Sequence, residues 1–130
     1  MANPDGAPYD KAVLVEHEFA RALIIDLPEK VRIGAFDFQI QRWNSYQAAA
    51  AQRWGECSTT EFVIRIQVDM PTRHKAVDTV LHEIMHAIYV IFGVEDDDKE
   101  ERIVSMFAKA LAGVYRDNPW IIEWLKKASL

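Results

Sequence analysis

The sequence predicts an α+β domain in which a small, mostly antiparallel sheet packs on helices. Two stretches, 31–43 and 61–68, alternate apolar and polar residues in the way that half-buried strands do. A longer stretch, 72–92, carries apolar residues at helical spacing. Grouped strands followed by helices are typical of α+β domains rather than of repeated β-α units.

Composition limits the protein to a few classes. Its 130 residues suit one domain, and the formal net charge of -5 argues against nucleic acid as a partner, because phosphate binding needs clustered Lys and Arg. No apolar stretch is long and continuous enough to span a bilayer, so we expect no membrane partner. The one cysteine, Cys57, permits no internal disulfide and no cysteine metal cage, and it fits a cytoplasmic location. We expect Cys57 to be a small, partly buried hydrophobe.

The first half of the chain holds the strands. Residues 1–9, which include two prolines and a glycine, are expected to be a flexible leader without a signal peptide, and 10–130 a single domain. Residues 10–25 have helical spacing, and 31–43 predict two short strands joined by a turn at Gly34-Ala35. The alanines at 48–51 favour a short helix but also suit a loop crossing the site. A third strand at 61–68 ends before Pro71.

The second half is predicted to be helical. Thr72 can cap the helix at 72–92, and Gly93 follows it as a stop signal. Since 80–92 is apolar nearly all round, we expect this helix to be buried centrally. A second helix at about 97–115 follows the acidic residues 96–98, and Asn118-Pro119 separates it from a short helix at 120–127.

The central helix carries a metal-binding pattern, His82-Glu83-Ile84-Met85-His86. His82 and His86 are four residues apart and project from one helix face, so both nitrogens can reach one ion at about 2.0–2.1 Å. Glu83 lies beside that position, where it can take a proton from a water molecule. Burying two imidazoles and a carboxylate without partners would cost several kcal/mol. The pattern therefore predicts a zinc site.

The third ligand has to come from another part of the chain. Tyr89 and Phe92 occupy the positions that would be Gly and His in an extended three-histidine motif, which excludes that arrangement. His74 lies two turns before His82 on the same helix and cannot reach a shared ion, and His17 is expected to be a surface residue. The next helix opens with Glu100 and Glu101, and on the residues alone either could supply the ligand.

The two motifs together resemble the gluzincin branch of zinc metallopeptidases. The segment from Glu101 to Ala108 is similar to the second-helix pattern of that branch, with Glu101 in the ligand position. The lead-in at Asp78-Thr79 also resembles small phage and bacterial proteins of the ImmA/IrrE-like kind, and the resemblance covers roughly 31–119. Ser105 stands where many gluzincins have an Asp that orients a ligand histidine.

The resemblance implies a minimal zincin fold with a three-stranded sheet on the two motif helices. It implies a zinc-dependent peptidase with one Zn²⁺ per chain, held by His82, His86 and Glu101, in which Glu83 is the general base. The substrate would be a peptide or protein paired with the strand at 61–68, which would border the cleft. A zinc-stabilised phage or bacterial interaction module with weak or no activity is the alternative, and Glu83 favours catalysis because a structural site does not need it.

A donor to the substrate oxyanion is also expected in such a site. The sequence does not select one among several polar candidates, which are Tyr46, His74, Tyr89, Tyr115 and Arg116.

Overall fold

The computed structural model describes residues 10–93 and 100–128, without the side chains at 100, 101, 104 and 105. The predicted leader at 1–9 and the acidic residues 96–98 lie outside the described residues. The described helices are α1 (Lys11–Ile25), α2 (Ser45–Ala51), α3 (Arg73–Ile91), α4 (Glu100–Asp117) and α5 (Trp120–Ala128). The described strands are β1 (Lys30–Ile33), β2 (Phe36–Trp43), β3 (Gly55–Ser58) and β4 (Val63–Gln67). The class is α+β, as predicted.

The sheet is mixed and has the strand order β1-β2-β4-β3. Strands β1 and β2 pair antiparallel, as do β3 and β4, whereas β2 and β4 run parallel. The predicted three-stranded, mostly antiparallel sheet is therefore wrong in strand number, although two of the three pairings are antiparallel. The physical reason is the path of the chain: β3 lies at the edge of the sheet, so β4 returns between β3 and β2 in the same direction as β2.

Local signals in the first half of the chain are confirmed. The turn between β1 and β2 has Gly34 at φ +59°, a conformation that glycine adopts without steric cost. Residues 48–51 belong to helix α2, which settles the alternative of a loop. Asn44 starts α2 with a capping box, because its side chain accepts from Gln47 N at 2.8 Å while Gln47 Oε1 accepts from Asn44 N at 3.0 Å.

One face of the sheet forms the core with the helices, and the other carries polar side chains. The strand residues in the core are Val31, Ile33, Phe38, Ile40, Ile64 and Ile66. Helix α1 packs against α3 and α5, and the indole N–H of Trp124 donates to Leu23 O at 2.8 Å. On the polar face, Arg65 donates to Glu56 at 2.9 Å and to Glu61 at 2.7 Å. No described helix is long and apolar enough to cross a membrane.

Helix α3 has one buried face and one open face. Thr72 Oγ1 accepts from Lys75 N at 3.1 Å, and Gly93 follows the last turn at φ +67°, so both predicted end signals are confirmed. The buried face consists of Ala76, Val77, Thr79, Val80, Glu83, Ile84, Ala87 and Ile88. The exposed residues from 82 onward include His82, Met85, His86, Tyr89 and Val90. The prediction of a centrally buried helix therefore holds for one face only, because the sheet and α1 cover one side of α3 within the described structure.

Asn118 joins the end of α4 to the edge strand β1. The residue is 4% exposed, and its Oδ1 accepts from Arg32 N at 2.8 Å. Its Nδ2 donates to Arg32 O at 2.7 Å and to Val114 O at 2.8 Å. The side-chain amide thus pairs with both backbone groups of one β1 residue, as a neighbouring strand would. The sequence indicated Asn118 only as part of a helix break.

We expect Asn118→Ala to lower the free energy of unfolding by about 1–3 kcal/mol, because it leaves the partly buried backbone N–H and C=O of Arg32 without their hydrogen-bond partner, whereas Val114 O keeps the backbone N–H of residue 118. Asn118→Asp should also destabilise, because a carboxylate can accept from Arg32 N but cannot donate to the two carbonyls. Urea unfolding measures both, with the exposed Gln39→Ala on β2 as control. A change below about 0.5 kcal/mol in both Asn118 variants would contradict this role.

Candidate metal centre

The two histidines of the motif converge on one point beside α3. His82 Nε2 and His86 Nε2 are 3.1 Å apart, and the rings lie at 79° to each other with centroids 4.7 Å apart. Both side chains are exposed on the open face of the helix. Two nitrogens of the same type therefore face the same small volume, and that volume is open to solvent.

The separation of the nitrogens fits two ligands of one zinc ion. With zinc–nitrogen distances of about 2.0–2.1 Å, a separation of 3.1 Å gives an angle of about 100° at the metal, near the tetrahedral value. Imidazole nitrogen is a preferred zinc donor. The donor chemistry and the spacing thus fit half of a tetrahedral site.

Glu83 is the buried member of the motif. It is 7% exposed, in contrast to the histidines on either side of it, so the cost of burial falls on the carboxylate alone. Burial raises the pKa of Glu83 above its ordinary value, although the charges of His82, His86 and Arg53 act in the opposite direction. A carboxyl group with a raised pKa accepts a proton more readily near neutral pH, as a general base must.

Strand β3 forms the wall opposite these residues, and it packs closely on α3. A Cβ at Gly55 would lie 2.9 Å from Arg65 O and 3.1 Å from Thr79 Cγ2. Only glycine fits there without displacing the helix or the neighbouring strand. The prediction that the strand at 61–68 borders the cleft is wrong: β4 lies inside the sheet, and β3 is the edge strand beside the histidines.

Cys57 lies on β3 in the same wall. Burial, followed by the charge of Glu83, raises the pKa of the Cys57 thiol to about 11. The thiol is half-buried, as predicted, and it stays protonated at neutral pH. Because the thiolate is the nucleophilic form, Cys57 is not suited to covalent catalysis.

The cleft between β3 and α3 has two depressions that meet at the motif. One, of about 460 Å³, extends along α3 toward Val90 and also contacts Cys57 and Thr59. The other, of about 390 Å³, extends toward Lys75 and also contacts Trp54 and Asp78. The residues that line both depressions are Arg53, Gly55, His82 and Glu83. A bound chain could therefore lie along the cleft and pass Glu83 near its middle.

The predicted third ligand belongs to side chains outside the described part of the structure. Glu101 and Glu100 belong to the first turn of α4, but their side chains lie outside the described part. Among the described side chains, no three His, Cys, Asp or Glu residues form a group that could hold a metal. His74 is exposed at the start of α3, and His17 lines a separate cavity with residues of α1.

Among the described residues that line the two depressions, there is none of the predicted oxyanion donors. Tyr46 is 84% exposed on α2, and Tyr115 and Arg116 lie near the end of α4. Arg53 does line the cleft, and sequence reasoning missed it. The only signal for Arg53 in the sequence is its position just before the short strand β3, and sequence reasoning did not predict that strand either.

Comparison of the chain with protein-family models, with curated protein sequences and with solved structures found no match. The interpretation of this cleft therefore depends on its geometry and on the spacing of the motif residues.

Proposed function

We propose that the protein is a zinc-dependent peptidase with one Zn²⁺ per chain, built on a zincin-like arrangement of α3 and α4. His82 and His86 would hold the metal, and Glu101 would complete the protein ligands. The observation that carries the proposal is the pair of Nε2 atoms 3.1 Å apart with a buried carboxylate beside them.

A hydrogen bond between the two imidazoles would give a similar distance, but it explains less. Exposed imidazoles already have water as a partner, so a mutual hydrogen bond adds little stability. It also gives no reason to bury Glu83 next to them, where desolvation opposes its charge. A metal site accounts for the convergence of the nitrogens and for the adjacent carboxylate together.

The residues of the cleft suit hydrolysis of a peptide bond. Zinc, when bound, polarises a carbonyl group and makes a nearby water more acidic. Glu83 accepts a proton from the attacking water at a carboxylate oxygen while the water oxygen bonds to the carbonyl carbon. Glu83 then transfers that proton to the amide nitrogen as the carbon–nitrogen bond breaks. The raised pKa of Glu83 favours the first of these transfers.

The outer edge of β3, which has no strand partner among the described residues, is the proposed place for the substrate backbone. Strand β3 pairs with β4 on one side, and its other side borders the cleft. An extended peptide can add to such an edge through main-chain hydrogen bonds. Because these bonds do not involve side chains, the edge would accept peptides of many sequences. The substrate class is therefore an extended peptide or a mobile segment of a protein. A single protonated thiol is compatible with a cytoplasmic setting.

We expect His82→Ala and His86→Ala each to abolish stoichiometric zinc binding, because each removes one of two converging nitrogens. Elemental analysis after dialysis against a weak chelator measures the zinc content, and His74→Ala on the same helix is the matched control. One zinc per chain retained in both motif variants would leave only the imidazole hydrogen bond as an explanation of the geometry.

Glu101→Ala should weaken zinc binding by orders of magnitude, while Glu100→Ala should leave it nearly unchanged. The expectation for Glu101 rests on the resemblance of the segment 101–108 to the gluzincin second helix. Competition with a fluorescent zinc chelator measures both affinities. The opposite order of the two variants would assign the ligand to Glu100.

Glu83→Gln should retain zinc and lose at least about 10²-fold in turnover of fluorescently labelled casein, because it removes the general base. Its melting temperature without metal should not fall, since the variant removes a charge that burial disfavours. Glu18→Gln on the exposed side of α1 is the control. Equal turnover by the wild type and Glu83→Gln, both zinc-loaded, would favour the interaction module over the peptidase.

A further inference from the structure

The cleft contains a cation, Arg53, that has no role in the hydrolysis proposed above. Arg53 lies in the loop between α2 and β3, directly after Gln52, which ends α2 at φ +57°. It is one of the residues that line both depressions. Its side chain is 59% exposed, so the guanidinium group is available to a bound molecule.

Neighbouring charges hold Arg53 at the rim of the cleft. Arg53 Nη1 lies 3.7 Å from Glu56 Oε2, and the other oxygen of Glu56 accepts from Arg65 Nη1 at 2.9 Å. Glu56 is thereby fixed from the sheet side and provides an anchor for Arg53. The contact with Glu56 is long for a hydrogen bond, so the guanidinium keeps donors for another acceptor.

Arg53 is also within electrostatic reach of the reacting groups. Its charge acts on the Glu83 carboxylate, and it shares a depression with His82 and His86. Among the described residues the other cation of the cleft is Lys75, which lies over the ring of Trp54 at 5.5 Å and lines only the depression on that side. Of the two cations, Arg53 is the one placed beside the middle of the cleft.

We propose that Arg53 is a catalytic residue whose guanidinium donates hydrogen bonds to the carbonyl oxygen of the peptide bond that is cleaved. The assignment rests on the proposed peptidase function. An arginine suits this position because it stays protonated and offers several N–H donors in a fixed plane.

The role follows from the movement of charge during hydrolysis. When the water oxygen bonds to the carbonyl carbon, the π electrons of the carbonyl move to its oxygen, which becomes negative. Arg53 keeps its protons and stabilises that charge, and the electrons return as the carbon–nitrogen bond breaks. Donors placed where charge develops stabilise the transition state more than the ground state. Arg53 should therefore act on kcat more than on KM.

Turnover of labelled casein by zinc-loaded Arg53→Met tests the role. We expect kcat to fall about 10²–10³-fold with a smaller change in KM, and Arg53→Lys to recover part of the loss. Zinc content and melting temperature should match the wild type, and Arg116→Met, which removes an exposed arginine outside the cleft, should behave as the wild type. A kcat within about threefold of the wild type, or a loss confined to KM, would overturn the role.

If the wild type cleaves no casein, the proposed peptidase function fails, but the donor role of Arg53 is not yet tested. A second measurement then tests that role. Inorganic phosphate is a tetrahedral anion, and calorimetric titration can measure its binding to the zinc-loaded protein. We expect binding at least about 10-fold weaker in Arg53→Met than in the wild type or Arg116→Met. Equal phosphate affinity in Arg53→Met and the wild type, or no binding to the wild type, would then refute a donor role for Arg53.

Discussion

The close packing of α3 on β3 is the constraint on which the arrangement of the cleft depends. Gly55 provides the room for it, since a Cβ there would meet both Arg65 O and the Thr79 side chain. Thr79 is one turn before His82 and Glu83 on the same helix. A side chain at 55 would push α3 outward, and because packed interiors transmit strain, the shift would reach these two residues of the candidate site. The fold and the site are thus coupled through one position without a side chain.

Helix α3 faces the core on one side and solvent on the other, and Glu83 lies at the boundary between the two sides. Its neighbours Val80, Ile84 and Ala87 belong to the core, whereas His82 and His86 face solvent. Such a carboxylate is a cost to the fold, because burial disfavours its charge. Active sites commonly keep groups that lower stability. The apolar contacts of α3 with α1 and the sheet offset that cost.

Sequence reasoning identified the parts of the molecule that depend on local patterns. The alternation around Gly34 and the cap at Thr72 are local signals, and the structure contains the strands and the helix that they predict. The spacing of His82 and His86 is also a local signal, and both imidazoles project from one helix face. It missed β3, because 55–58 has four half-buried residues and no alternation of apolar and polar side chains. It also missed the parallel pairing of β2 with β4, which is set by the path of the chain and not by either strand alone.

The two edge strands of the sheet differ in whether their outward backbone groups have hydrogen-bond partners. This difference limits how copies of this chain can associate. Asn118 occupies backbone groups of β1, whereas β3 has a pairing partner only in β4 within the described structure. An unpaired edge is a template for another strand, and open-ended growth requires two such edges on every molecule. Two copies joined through β3 would use the same edge on both, so that pairing ends in a closed dimer and cannot extend into a fibre.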